Sequence, residues 1–379
     1  MANEIATMPI VAELLSLTSK RAGSSRKYPC PKCGKMAFEA NDIKGHCFKC
    51  GFGGNYITYY AVACGISTKE ATKRIAASTG GTTTFTYTPT EEPEEPIADI
   101  SVRDKAYRTL LSNLSLSKKH IADLKARGLD EDTIKKLGYK SFYLGPQKAR
   151  VEITEKIINS GASIDGVPGF YLNPDTKSGF YGKYILCWRK QGILVPYIDC
   201  EGNVQGFQVR KDNEKLEKDE DGKLENKYDW ISSKGKKKGC GSRAYVHFAC
   251  DFYGDFKTKK KQPVLAKEMI ITEGAMKADI THALTGLPII AVPGVETLLE
   301  LDSVLDYLKA NGVEEIMNGF DMDYMTNPNV QRAQEKLEAM VNSKGLKYSR
   351  LVWDENYKGI DDYTYARKLK KQPLEIAKK

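Results

Sequence analysis

Two pairs of cysteines constrain this chain more than any other feature. Cys30-Pro-Lys-Cys33 is followed by thirteen residues and then by Cys47-Phe-Lys-Cys50. Each Cys-x-x-Cys can turn two thiolates toward one tetrahedral ion, and two such knuckles complete a four-sulfur set. A redox motif would not ordinarily come twice, so the spacing predicts zinc. Four thiolates close the coordination sphere, which makes the ion structural rather than catalytic. Gly34 and Gly51 directly follow the knuckles, where the backbone must turn tightly. With four cysteines available, His46 reads as a surface or base-contacting residue. Lys27, Tyr28, Lys32, Phe38, Lys44, Phe48, Lys49, Phe52 and Tyr56 surround the knuckles. Stacking combined with phosphate contacts is how single strands are held, although about half of these aromatics are expected in the small domain's own core. The remaining cysteines (Cys64, Cys187, Cys200, Cys240 and Cys250) are scattered and read as small buried hydrophobes.

Residues 1–80 are therefore expected to form a zinc-binding ribbon domain. They carry 11 Lys/Arg against 5 Asp/Glu, part of a formal charge of +9 for the 379 residues. Residues 81–100 hold five acids and no base, with a threonine-rich run and a Glu-Glu-Pro-Glu-Glu-Pro block, and read as a flexible acidic linker. Lysines recur at Lys234, Lys236, Lys237 and Lys238 and at Lys257, Lys259, Lys260 and Lys261. Such a surface suits a polyanion, though charge alone equally describes a solvated face. No run approaches the roughly 18 apolar residues of a membrane span, and no basic stretch followed by an apolar one opens the chain. A cytoplasmic protein without membrane contact is expected.

Beyond the linker the pattern is α/β. Residues 101–262 form a mixed region. Helical periodicity runs over 102–126, with a second helix near Asp132–Leu137 stopped by Gly138. Gly192–Ile198 and Val204–Val209 read as strands joined by a turn-rich connection. In residues 263–379, strands and helices alternate. Met269–Thr272, Leu287–Val292, Val313–Phe320 and Leu351–Trp353 read as strands. Ala275–Leu284, Val295–Ala310 and a segment from Asn327-Pro328 to Val341 read as helices. This alternation predicts right-handed crossovers and a parallel sheet. Functional groups gather at the carboxyl ends of such strands, and those ends here carry Glu273, Gly294, Asp321 with Asp323, and Asp354.

Both carboxylates of an Asp-x-Asp just past a strand can converge on one side. With Glu273 from a neighbouring strand, Asp321 and Asp323 make an oxygen-rich cage for a hard divalent cation. A metal there could lower the pKa of an attacking hydroxyl and stabilise charge on phosphorus. Asp361 and Asp362 add a further acidic pair, either assisting that metal or capping a helix.

Glu273-Gly274, Gly294 and Asp321-x-Asp323 in this order resemble the TOPRIM domain of primases, topoisomerases and recombination nucleases. The likeness extends upstream. Residues 30–57 look like the zinc-binding domain of bacterial and phage primases. Leu124-Lys125-Ala126-Arg127-Gly128-Leu129 with Leu137-Gly138-Tyr139 is similar to a helical segment of the primase RNA polymerase domain. Val195-Pro196-Tyr197-Ile198-Asp199 with Gly206-Phe207-Gln208-Val209-Arg210 resembles another of its motifs, and Lys227-Tyr228 with Ser232 a third. The whole resembles a DnaG-type TOPRIM primase, and the Cys-Cys first zinc pair is closer to phage or mobile-element forms. Lys277 departs from the family by replacing an acid common after the Glu-Gly.

The resemblance implies short RNA primers made from ribonucleoside triphosphates on single-stranded DNA, with structural Zn²⁺ and catalytic Mg²⁺ or Mn²⁺. Glu273, Asp321 and Asp323 would hold the catalytic metal, and Arg210, Lys227 and Lys277 would bind template or nucleotide. A replicative helicase is a further implied partner. No Gly-x-x-x-x-Gly-Lys-Ser/Thr occurs, so no helicase is expected within these residues. A TOPRIM nuclease or topoisomerase-like enzyme, or a non-catalytic DNA-binding accessory factor, are the rival readings.

Overall fold

A computed structural model describes residues 8–22, 25–40, 44–50, 52–78, 95–143, 145–187, 191–216, 224–254, 261–294, 298, 300–322 and 328–379. Two compact units emerge, one of residues 1–90 with 216–225 and one of residues 91–215 with 226–379. Most of the expected linker (residues 81–94), Gly51, Lys257, Lys259, Lys260 and Asp323 lie outside the described residues. Among the described residues no helix is long and apolar enough to cross a membrane.

In the first unit, five short strands form an antiparallel sheet in chain order: Lys20–Ala22, Ser25–Pro29, Met36–Ala40, Lys44–Cys47 and Gly53–Asn55. The Asn55 side chain accepts from the Thr58 amide at 2.9 Å and starts the helix Tyr56–Cys64. Gly65 ends that helix in the left-handed conformation. The core is aromatic: Phe38 and Tyr59 meet edge to face at 4.7 Å, and Tyr28 and Tyr56 are buried beside them. Phe48 alone among these aromatics points outward, at 67% exposure.

The second unit holds two larger sheets. A four-stranded antiparallel sheet runs Tyr228–Trp230, Val204–Lys211, Gly192–Ile198, Lys140–Phe142. The two strands expected here are present, and Arg210 pairs across the ladder with Tyr228. Residues 102–126 differ from expectation, forming two helices, Ile100–Ser112 and Lys118–Lys125. The break has a local cause. The Ser115 carbonyl accepts from Ser141 N at 2.9 Å, and the Ser117 amide donates to Ser141 Oγ at 2.8 Å. Ser117 Oγ then accepts from His120 N at 3.2 Å and caps the second helix.

The six-stranded sheet is ordered His247–Ala249, Ile289–Val292, Glu268–Glu273, Glu315–Asn318, Lys347–Val352, Ala377–Lys378. Its four central strands are parallel and both edges are antiparallel. Parallel strands are covered on both faces, so their sequences run apolar without alternation. Met269, Ile271, Ile290 and Ile316 pack on Leu301, Leu305, Leu308, Leu337 and Val341 of the helices Leu301–Ala310 and Pro328–Ser343. Ile270, Ile289, Ala291 and Met317 face the opposite way, toward Ala278 of the helix Ala275–Thr285 and Ile360 and Tyr363 of the helix Ile360–Leu369. The helix expected from Val295 begins at Leu301, with residues 295–297 and 299 outside the described ones. The last parallel strand begins four residues earlier than expected because it alternates: Ser349 and Leu351 are buried between less buried neighbours.

Candidate functional site

The first unit brings its four paired cysteines together. One sulfur of each of Cys30, Cys33, Cys47 and Cys50 lies within 4.8 Å of the others. Cys30 Sγ is 3.5 Å from Cys50 Sγ, and Cys33 Sγ is 3.8 Å from Cys47 Sγ. Sulfurs bound tetrahedrally to zinc at about 2.3 Å stand about 3.8 Å apart, so the donor set fits zinc. Tight turns hold the knuckles open: Gly34 N donates to Cys30 O at 2.8 Å and Cys47 N to Phe52 O at 2.7 Å. Burial pushes the Cys30 thiol up to about 12. Burial also acts on Cys47, but the Lys49 and Cys50 amides and the neighbouring thiols outweigh it and hold that thiol at about 7. A partly buried sulfur set of this kind is satisfied by a cation, which ionises all its members together.

In the second unit, the site residues collect at the carboxyl ends of the parallel strands. Glu273 is the last residue of the strand Glu268–Glu273, and the helix Ala275–Thr285 starts two residues later. The neighbouring strand Glu315–Asn318 leads through Gly319 and Phe320 to Asp321. This turn is pinned: Gly319 N donates to Ile271 O at 2.8 Å, Thr272 Oγ1 to Gly319 O at 3.0 Å, and Phe320 N to Asn318 Oδ1 at 2.9 Å. Asp321 is buried, and both its oxygens meet lysines. The Lys277 ammonium donates to Oδ1, and Lys358 Nζ lies 3.6 Å from Oδ2. Burial alone would lower the Lys277 pKa, but the Asp321 charge and hydrogen bond, with Glu273 and Asp361 behind them, carry it above its ordinary value.

A second ion pair closes the floor of the site. Arg127 Nη2 donates to Asp361 Oδ2 at 2.6 Å. Gly128 makes the approach possible. Its φ is +93°, and a methyl group there would sit 2.5 Å from the Tyr365 ring of the helix Ile360–Leu369. That helix is capped by Gly359 without a side-chain hydrogen bond, so Asp361 serves the ion pair and not the cap. Arg210 is buried, with no hydrogen-bond partner at Nε. The Lys227 pKa is lowered by burial and then by the charges of Arg210 and Arg127. Burial raises the Tyr228 pKa against the same two guanidinium groups and Lys277. Bases and acids therefore share one electrostatic neighbourhood.

Of the residues singled out in the sequence, the structure joins the four cysteines, sets Glu273 and Asp321 on adjacent strand ends, and places Lys277 on Asp321. Arg210 and Lys227 stand with Arg127. Asp323 lies outside the described residues, and among those described no three carboxylates converge closely enough for a metal. Sequence reasoning assigned no role to Arg127 or Lys358. Arg127 precedes a glycine at a helix end, but only the fold shows that this turn faces Asp361.

Fold and site together define a chain with a four-cysteine ribbon and a mixed α/β unit whose parallel strands end in an acid–base cluster. A family described as "Domain of unknown function (DUF3854)" matches residues 258–371. No curated protein matches the chain. The solved structures it is similar to include primases of bacteria and of a bacteriophage. They include the zinc-binding and RNA polymerase domains of the Aquifex aeolicus primase, at 17% identity and a TM-score of 0.47 over 97% of this chain and 82% of that one. The RNA polymerase domain of the Mycobacterium tuberculosis primase, in complex with double-stranded DNA, matches at 15% and 0.45 over 72% and 76%. The primase fragment of the bacteriophage T7 primase-helicase protein matches at 15% and 0.36 over 91% and 97%.

Proposed function

We propose that this chain is a DNA-directed primase of the TOPRIM type, a nucleotidyltransferase that makes short RNA primers on single-stranded DNA in a bacterial or phage-infected cytoplasm. The observation that carries the reading is the juxtaposition of Glu273 and Asp321, on adjacent parallel strand ends, with Arg127, Arg210 and Lys227. Acids at such ends suit a hard divalent cation, and guanidinium and ammonium groups suit the phosphates that would accompany it. Glu273, Asp321 and Asp323 would hold Mg²⁺ or Mn²⁺, which would supply charge neutralisation at phosphorus and an activated hydroxyl. Oxygen donors alone in this set favour these ions over zinc.

The chain's own residues do the positioning. Arg210, on a strand, and Lys227, in the bend just before the facing strand, hold template or triphosphate oxygens. Arg127 neutralises Asp361 through its Oδ2. The zinc ribbon presents the template, with Phe48 offering an exposed ring for base stacking. A replicative helicase is the partner that would deliver the single strand.

Incubation of the full chain with single-stranded DNA, labelled ribonucleoside triphosphates and Mg²⁺ or Mn²⁺ tests this. Short labelled RNA is expected, and it should vanish in Asp321→Ala. Cut DNA would instead mean a nuclease, and retention without chemistry a binding factor.

A further inference from the structure

The lysine run at residues 234–238 stands on a loop that is closed on itself. Ser233 is buried at its base. Ser233 N donates to Cys240 O at 3.0 Å, and Ser233 Oγ accepts from Cys240 N at 3.1 Å and from Gly169 N at 3.2 Å. Within the loop, Lys236 N donates to Ser233 O at 3.0 Å and Gly239 N to Lys236 O at 2.9 Å. Lys238 has a φ of +51°, in the left-handed region, and a methyl group at Gly239 would run into Ser233 O. Leu172 N donates to Lys237 O at 2.9 Å and fixes the loop beside the strand Phe170–Leu172. Lys236 Nζ lies 5.9 Å from the centroid of the Tyr171 ring. At the end of the same strand, Gly182 N donates to Asn173 O at 3.0 Å, and the preceding Tyr181 is 56% exposed.

Lys234, Lys236 and Lys238 are exposed and Lys237 is half-buried. Lys237 and Lys238 have no acidic partner among the described residues. Glu95 reaches the loop through its main chain, with Glu95 N donating to Gly239 O at 3.3 Å, and its carboxylate forms no ion pair there among the described residues. A solvated charge run needs no such closure. Four like charges on a fixed backbone repel one another, and a polyanion relieves that repulsion. Because the loop is already ordered, little of the usual ordering cost remains to oppose binding.

We propose that the lysine loop 234–238 is a further contact for single-stranded DNA, additional to Arg210 and Lys227, in which the lysines take phosphates and Tyr181 takes a base. A single strand leaves base faces open to an exposed ring, which a duplex does not. The proposed function enters only in the choice of DNA as the polyanion.

The test is fluorescence anisotropy of a labelled oligothymidylate with the zinc-loaded full chain, from about 50 to 300 mM NaCl. Each phosphate contact to a single strand contributes about 0.7 to the slope of log affinity against log salt. The triple variant Lys236→Gln, Lys237→Gln, Lys238→Gln should therefore lower that slope by about 2, and the same three positions changed to arginine should keep it. The single variants Lys236→Gln and Lys237→Gln should each lower it by about 0.7, and they decide if the triple variant melts early. Tyr181→Ala should weaken binding about fivefold or more with the slope unchanged. An unchanged slope in the glutamine variants overturns the proposal. So does an equal drop when the exposed Lys368, Lys370 and Lys371, at the end of the helix Ile360–Leu369, are changed to glutamine instead. Unchanged affinity in Tyr181→Ala overturns the assignment to single strands. The primer assay decides the polymerase reading separately: DNA binding without RNA synthesis overturns that reading and leaves this contact standing, and RNA synthesis with an unchanged slope does the reverse.

Discussion

Replacing Arg127 by methionine should cost the second unit more than replacing its partner. Asp361 is 2% exposed and the Arg127 side chain 28% exposed, so the two members of the pair are unequally buried. Removing the arginine strands an ionised carboxylate whose Oδ1 already lacks a hydrogen-bond partner. Breaking a buried pair in this way costs about 3–5 kcal/mol. Partial exposure of the arginine and the nearby Lys277 ammonium argue for the lower end, about 3 kcal/mol. For a unit of this size that lowers the melting temperature by about 6–12 °C. Asp361→Asn leaves a guanidinium that is only partly exposed and whose Nε is buried without a partner, but the asparagine can still accept from it, so it should cost less, about 1–2 kcal/mol. The double variant Arg127→Met/Asp361→Asn should recover at least about 2 kcal/mol relative to the sum of the single variants, a coupling typical of contacting residues. Calorimetry of the four proteins at neutral pH measures the cycle. A change under about 0.5 kcal/mol for Arg127→Met, the size of an ordinary surface substitution, or strict additivity, would refute the account of the pair.

Further outcomes follow from the same geometry. Cys47→Ser should release zinc from the first unit and abolish its cooperative unfolding, as read by a chromogenic zinc assay and circular dichroism; a full zinc equivalent retained counts against the four-sulfur set. Gly359→Ala should destabilise the second unit by about 1–3 kcal/mol through the clash with Asp361 Oδ1, and an unchanged melting temperature would show that the approach is looser. Phe48→Ala should leave zinc content and stability alone and weaken single-stranded DNA binding by about 1–3 kcal/mol if a base stacks on the ring; equal affinity in fluorescence anisotropy removes Phe48 from that role.

How much of this was legible in the sequence depends on how local each signal is. The cysteine knuckles are legible because metal geometry demands residues two apart. The central strands are legible because burial on both faces leaves Met269–Thr272 without a polar residue until its end. The edge strands His247–Ala249 and Ala377–Lys378 are too short to show a period, and Lys347–Val352 hides its first half behind Lys347, Tyr348 and Arg350. The break at residues 113–117 is invisible in helical periodicity because it depends on Ser141, two dozen residues away. The acids at strand ends announced a site, but their partners did not. Arg127 and Asp361 are 234 residues apart, and nothing in either neighbourhood names the other.

Charge balance ties these contacts to the proposed chemistry. Among the described residues, Arg127, Lys277 and Lys358 act on Glu273, Asp321, Asp361 and Asp362, while Lys227 has Asp123 as its acid and Arg210 and Arg127 as like charges. A centre with acids alone would repel itself when empty and would have to be held open by the fold. Here Arg127 and Lys277 compensate Asp361 and Asp321, so the carboxylates can be buried at a strand end before any ligand arrives. Arg210 and Lys227 have no such duty in the described contacts with the acids. Burial, and then the charges of Arg210 and Arg127, depress the Lys227 pKa, which is an unfavourable arrangement for the protein alone and a favourable one for a polyanion. A triphosphate or a template backbone would relieve that repulsion by bringing negative charge to Arg127, Arg210 and Lys227.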